Sequence, residues 1–555
     1  MRLVAYLAFR YKKDISFKFL ISKLTFVMLA TQFIVRFLAK QKGLKMKFST
    51  ANLAVLAMFN ALSIQTTYAE DANTWYQDGQ AALATSKQMV PNKNPAKNII
   101  LFIGDGMGVS TVTAARIFEG QQKGLDGERN LLSFEKLPYV AMSKTYSANQ
   151  QTADSAPTMT AIVTGVKTND GVLSVNQRVL NGDADNAIIQ ANKLTTILEL
   201  AEKNGLSTGV VSTARVTHAT PAATYAHTST RDWETKTAAV PAAGVPDIAA
   251  QAIDNFGLGK TGDGIEVLLG GGRTKFLPNT VNDPEDAGKK GERTDGRNLI
   301  AEYQVKFDAN YVWNKTQFDA INLANTHRLI GLFERSHMEF EHDRAADFAK
   351  EPSLMEMTDK AIDILKKNPK GYFLMVEAGR IDHAHHAGNA YRALSETVAL
   401  SDAVKKALGK IDLKDTLIIV TADHSHTMTL AGYPKRGNPI LGKVVHPGET
   451  AFALGADGKP YTTISYANGK GYHVDSAGED VYNLPAIAGR TADITAVDTT
   501  DPDFHQESLV PAMAETHAAE DVQIFADGPN AYLFHGVQEQ SYIFHVMRDA
   551  FGFKD

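Results

Sequence analysis

The chain has 555 residues, 44% hydrophobic and 21% charged, an ordinary globular composition that excludes wholesale disorder. Residues 1–69 hold 11 basic side chains and one acid, and the remaining 486 residues hold 46 basic and 61 acidic ones. So acidic a body carries no footprint of a nucleic-acid backbone binder, and the absence of cysteine excludes disulfides, thiolate metal sites and thiol catalysis.

Two apolar segments, 24–35 and 53–64, stand near the N-terminus. Both fall short of the roughly 18–20 residues a membrane-spanning helix needs. The second follows Met46-Lys47 and precedes Thr67-Tyr68-Ala69. A basic start, an apolar core and small residues at the end read as a secretory signal peptide over 46–69, cut near Ala69. Residues 1–45 read as an extension ahead of a start at Met46, or as the first part of a longer leader. The expected mature body, 70–555, is exported without disulfides, which fits a bacterial periplasm or secretion.

Along that body, apolar runs at 99–103, 207–211, 265–269, 372–376 and 416–420 read as buried parallel strands. Helical periodicity lies between them at 195–203, 353–367 and 392–408. The alternation predicts an α/β fold with a largely parallel central sheet flanked by helices. Gly, Pro, Asn and Asp become dense after Arg273 and after Thr427, so about 275–350 and 428–510 read as insertions on one core.

The strand ends carry the chemistry. Run 99–103 leads into Gly104-Asp105-Gly106, run 207–211 into Thr217-His218-Ala219-Thr220, run 372–376 into Glu377, Asp382 and His386, and run 416–420 into Asp423-His424. Ligands of open α/β sheets bind at the carboxyl ends of strands, so these clusters converge. Each has an ordinary explanation alone: a tight turn, a surface Asp–His pair, a solvated histidine. Their shared topological position outweighs these, as does the absence of any histidine before His218. Carboxylates and imidazoles suit zinc, and oxygen ligands suit magnesium. Asp154-Ser155 ahead of an apolar run is a helix N-cap signal and equally a nucleophile candidate, because a helix N-terminus favours bound anions. A metal beside Ser155 would stabilise its alkoxide. Arg231 offers a planar fork for two phosphate oxygens.

These residues, in this order, strongly resemble the alkaline phosphatase family across 95–555. The matching strings are Asn98 to Gly108, Asp154-Ser155-Ala156, Leu268 to Arg273, Val376 to His386, Thr421 to His426 and Glu515-Thr516-His517. The resemblance implies a three-layer sandwich with a crown-like insertion, two zinc ions and one magnesium per subunit, and a homodimer. By it, Asp382, His386 and His517 hold one zinc, and Asp105, Asp423 and His424 hold the other with Ser155. Asp105, Thr220 and Glu377 hold magnesium, Arg231 grips phosphate, and Asp154 positions that arginine. His517 comes from the resemblance alone. His218 and His383 resemble the histidine pair of animal-type members and stand near the substrate, where the resemblance implies they tune magnesium affinity and phosphate release. Glu341, Asp343 and Asp347 stand where animal-type members hold an extra, calcium, site; a solvated acidic loop is an equal reading.

The implied activity is hydrolysis of a broad range of phosphate monoesters through a phosphoserine, releasing inorganic phosphate. A sulfatase would need arginine where Met159 stands after Ser155-Ala156-Pro157-Thr158, and a phosphodiesterase relative would carry threonine for Ser155 and lack Glu377. A catalytically dead phosphate or metal binder would lack some of the mapped ligands, and none is missing.

Overall fold

A computed structural model describes residues 70–554 apart from 239, 241–243, 474–481, 488 and 491. The signal-like segments and the 1–45 extension lie outside the described residues. The described residues divide into two units at the 89/90 boundary, 70–89 and 90–554. In the first, helix α1 (Ala72–Ser86) is capped by Asp71, whose Oδ1 accepts from the Thr74 N–H at 2.8 Å, and it buries no residue. Among the described residues, no helix is long and apolar enough to cross a membrane.

The second unit is built on the apolar runs. Strand β1 (Asn98–Gly104) sends Ile99, Leu101 and Ile103 into one core and Ile100 and Phe102 into another on the opposite face. Side chains alternate across a strand, so a strand covered on both faces must be apolar at every position, which is why the run is continuous. The other strands of this sheet are β2 (Tyr139–Lys144), β3 (Ser207–Arg215), β4 (Val267–Gly271), β5 (Asn310–Val312), β6 (Leu329–Leu332), β7 (Tyr372–Ala378), β8 (Thr416–Thr421), β14 (Val522–Asp527) and β15 (Val537–Glu539). Their order is β15-β2-β14-β8-β1-β7-β3-β4-β6-β5, and β14 alone runs antiparallel to its neighbours. This is the α/β sandwich the periodicity predicts.

Helices cover both faces. On one side lie α3 (Ser155–Thr164), α4 (Ile197–Lys203) and α9 (Tyr542–Phe551), contributing Ile162, Leu198 and Met547 to the core. On the other lie α2 (Val109–Gln122), α6 (Leu354–Leu365) and α8 (Ala390–Leu408), contributing Val112, Ile362 and Leu400. Short helices α5 (Ala219–Ala222) and α7 (Arg380–His386) follow β3 and β7 directly. Beyond the main sheet, β10 (Met428–Leu430), β11 (Ile464–Gly469) and β12 (Ser508–Pro511) form a three-stranded sheet, and β9 (Ser425–His426) pairs with β13 (His517–Ala518). The stretch expected as an insertion over 275–350 carries β5 and β6, both strands of the main sheet, so that much of it belongs to the core.

Candidate active site

Strands β8, β1, β7 and β3 are adjacent at the centre of the sheet, and each delivers polar residues at its carboxyl end. Register explains the convergence: Ile103 of β1 lies opposite both Glu377 of β7 and Thr421 of β8, and Glu377 lies opposite Ser212 of β3. Two residues beyond Ile103 and Thr421 stand Asp105 and Asp423, both fully buried. Gly106 makes the turn after Asp105 possible. Its φ is +69°, and a Cβ there would lie 2.3 Å from the His426 ring. Its N–H donates to Asp423 Oδ1 at 3.1 Å, tying the two strand ends together.

Ser155 is the first residue of α3, whose N-cap is Asp154. Its Oγ lies 3.0 Å from His424 Nε2 and 3.5 Å from Asp105 Oδ1. Arg231 donates to Asp154 Oδ1 at 2.5 Å and to His218 Nε2 at 2.8 Å, so its fork is held from both ends. Burial pushes the Asp154 carboxyl up, but Arg231 outweighs it and holds the group below its usual range.

Three carboxylates share the centre. Burial, then Asp423, Asp382 and Glu377, drive Asp105 well above the usual carboxylate range. Burial raises Asp423 also, and burial with Asp423 pushes Glu377 to about 7. The Ser212 hydroxyl donates to Glu377 Oε2, and Thr220 Oγ1 lies 3.4 Å from Asp105 Oδ2. Buried carboxylates raised in this way lack a countercharge, which is the environment a cation relieves. His424 supplies the complementary chemistry. Burial first, then His517, holds it well below 6.5 and so neutral, and its buried Nδ1 has no hydrogen-bond partner.

The donor atoms fall into groups within 4.8 Å: Asp105, Asp382 and His424; Asp105, His218 and Glu377; and Asp382, His386, His426 and His517. In the last, Asp382 Oδ1 lies 3.3 Å from His386 Nε2 and 3.2 Å from His517 Nε2. Burial would raise Asp382, but His386 and then His426 and His517 drive it well below the usual range. His426 differs from its neighbours, because Nδ1 meets Glu515 Oε2 at 2.5 Å and Nε2 meets Asp382 Oδ1 at 2.8 Å. Burial alone would lower its pKa, yet the two carboxylates raise it to about 10. With both nitrogens donating, this ring has no lone pair for a metal.

His218, His337 and His383 also bring nitrogens within 4.8 Å of one another, but their surroundings do not suit a cation. Arg231 donates to His218, Arg215 Nη1 to His337 Nε2 at 2.6 Å, and Arg380 Nη1 to His383 Nδ1 at 3.1 Å. Burial first, then neighbouring positive groups, hold all three rings well below 6.5 and neutral. His337 escapes sequence reasoning because it follows β6, which reads as part of an insertion.

The sequence-derived residues Asp105, Ser155, Thr220, Glu377, Asp382, His386, Asp423, His424 and His517 are thus brought into one centre, with Asp154, Arg231, His218 and His383 beside it. The three acids read as a calcium site are not brought together. Glu341 pairs with Arg344 and Asp343 with Arg392, whereas Asp347 meets Glu285 and Glu334. His385 is neither ligand nor surface residue: fully buried, it bridges Thr111 Oγ1 at 3.0 Å and the Tyr466 hydroxyl at 2.8 Å.

Residues 96–553 match the sequence profile of alkaline phosphatase. The chain belongs to the alkaline phosphatase family. It is 42% identical to the tissue-nonspecific alkaline phosphatase of Gallus gallus over 89% of this chain and 92% of that one. It is 42% identical to the alkaline phosphatase of Gadus morhua over 82% and 92% of the two chains. In fold it is similar to the crystal structure of Thermus thermophilus alkaline phosphatase, with a TM-score of 0.59 at 23% identity, covering 84% of this chain and 94% of that one. The alkaline phosphatase of the Antarctic bacterium TAB5 superposes with a TM-score of 0.54 at 22% identity, over 83% of this chain and all of that one. The protein is therefore a metal-binding phosphomonoester hydrolase of the alkaline phosphatase family.

Proposed function

We propose that the chain hydrolyses a broad range of phosphate monoesters in two in-line displacements through a phosphoserine at Ser155. The observation that carries this reading is Ser155 Oγ lying at a helix N-terminus, 3.0 Å from His424 and 3.5 Å from Asp105, among buried carboxylates that lack a countercharge. Ser155 attacks phosphorus, the ester oxygen leaves as the alcohol, and water then displaces Ser155 to release inorganic phosphate. Arg231, held by Asp154 and His218, presents its guanidinium to two equatorial oxygens. The positive dipole end of α3 adds to this field.

The donor chemistry supports two zinc ions, one held by Asp382, His386 and His517 and one by Asp105, Asp423, His424 and Ser155. It supports magnesium at Asp105, Thr220 and Glu377. Bound there, these cations supply charge neutralisation for the serine alkoxide, the leaving oxygen and the phosphoryl oxygens. A cleft of about 810 Å³ opens onto Asp154, His386 and His517; its wall adds Gln150, Thr152, Met513 and Glu515, whose carboxylate is taken up by His426 and Thr427, so no further charged group is left to select one alcohol. Export through a leader at 46–69 to a bacterial periplasm, a catalytic domain over 70–555 with about 428–510 as its crown-like insertion, and a homodimer complete the proposal.

The test is turnover of p-nitrophenyl phosphate by the purified chain, with and without chelator and for Ser155→Ala. Chelation abolishes turnover, and Ser155→Ala lowers kcat by at least about a thousandfold, in the range of losing a nucleophile. Turnover that survives chelation would sink the metal reading.

A further inference from the structure

We propose that Glu515 is a positioning residue that sets two ligands of the Asp382, His386 and His517 group, Asp382 and His386, at once; this rests on the metal reading above. Glu515 is 1% exposed, and its side chain and its main chain do separate work. Carboxylate Oε2 accepts from His426 Nδ1 at 2.5 Å, and the opposite nitrogen of that ring donates to Asp382 Oδ1 at 2.8 Å. A carboxylate only accepts, so the ring is fixed as a double donor and Asp382 is held at one oxygen. Oε1 accepts from Thr427 N at 2.7 Å and Thr427 Oγ1 at 2.6 Å, which locks the plane of the carboxylate. The Glu515 carbonyl accepts from His386 Nδ1 at 2.6 Å, and its N–H donates to the His386 carbonyl at 3.0 Å. That commits the His386 proton to Nδ1 and leaves the Nε2 lone pair facing Asp382. The third member, His517, has a different partner: its Nδ1 lies 3.0 Å from the Ala153 carbonyl.

Partners of this kind typically tune metal affinity or activity by about 10–100-fold. Removing the charge should therefore loosen the metal without unfolding the chain. The experiment loads the full chain with zinc and follows its transfer to a chromophoric chelator, alongside p-nitrophenyl phosphate turnover. Glu515→Gln is expected to release zinc at least about tenfold faster. If Glu515 acts through His426, the Glu515→Gln/His426→Gln pair releases zinc no faster than the faster single variant. Should Glu515→Gln not fold, Thr427→Val, which removes one donor to Oε1, decides the matter and is expected to speed release about two- to threefold. Release within twofold of wild type for a folded Glu515→Gln, effects that add in the double variant, or an unaltered Thr427→Val would each overturn the positioning role. A wild-type chain that neither retains zinc nor hydrolyses the ester overturns the metal reading instead, so the two failures are distinguishable.

Discussion

His383 shows how one side chain sets the behaviour of a site it does not complete. Its ring accepts from Arg380, and burial with that guanidinium holds it neutral beside Asp382. A lysine there adds a compact, strongly hydrated charge close to the Arg231 and His218 pair proposed to meet phosphate. His383→Lys is expected to tighten inorganic phosphate as a competitive inhibitor several-fold and to lower kcat by slowing product release. Steady-state inhibition by phosphate checks this, and an unchanged inhibition constant counts against it. Histidines of one string thus part company: His386 Nε2 lies 3.3 Å from Asp382 Oδ1, His385 bridges Thr111 and Tyr466, and His383 stays a neutral acceptor. Residue type alone does not distinguish them.

Helix α4, strand β3 and the segment entering β4 meet in a second acidic cluster, at the end of the sheet away from the site. Glu202 accepts from Thr208 Oγ1 and from the N–H groups of Asp263 and Gly264, and Glu266 accepts from Thr208 N. Burial raises Glu202 from 4.5 to about 7, and burial followed by Glu202 raises Glu266 from 4.5 to about 8. Between pH 4.5 and about 8 the folded state therefore holds protons that the unfolded chain has released, and stability falls as pH rises through that window. Glutamine at 202 keeps every partner: its oxygen accepts the two N–H groups and its amide donates to Thr208. Glu202→Gln should match wild type near pH 4 and exceed it near pH 9 by on the order of 3 kcal/mol at most. Denaturant melts at the two pH values test this, and an equal gap at both would refute it.

For the whole molecule, the central sheet gathers carboxylates from separate strands into a core that repels itself. Without cations, Asp105, Asp423 and Glu377 hold protons above the usual carboxylate range, Glu377 up to about 7, so the cation-free fold loses stability as pH rises. Chelation is expected to lower Tm more at pH 9 than at pH 6, read by calorimetry with and without chelator. A drop of equal size at both would mean that the carboxylates are not what the metals relieve.

Much of this was legible in the chain. Continuous apolar runs marked β1, β3, β4, β7 and β8 because strands buried on both faces admit nothing else, and the polar residues behind them marked the centre because chain direction puts strand ends together. His517 entered through family resemblance alone, and Glu515, His426 and His337 were assigned no part. His517 and His426 lie on two-residue strands, too short for a periodicity, and His337 follows β6, whose run 329–332 sits in a segment rich in turn residues. The sequence by itself determined the five contiguous parallel strands β8, β1, β7, β3 and β4 and the stock of nitrogen and oxygen donors. Only the tertiary structure decided which imidazole keeps a lone pair for a metal and which spends both nitrogens on carboxylates. That choice depends on partners up to 131 residues away, such as His517 beside His386, and local pattern carries no information about them.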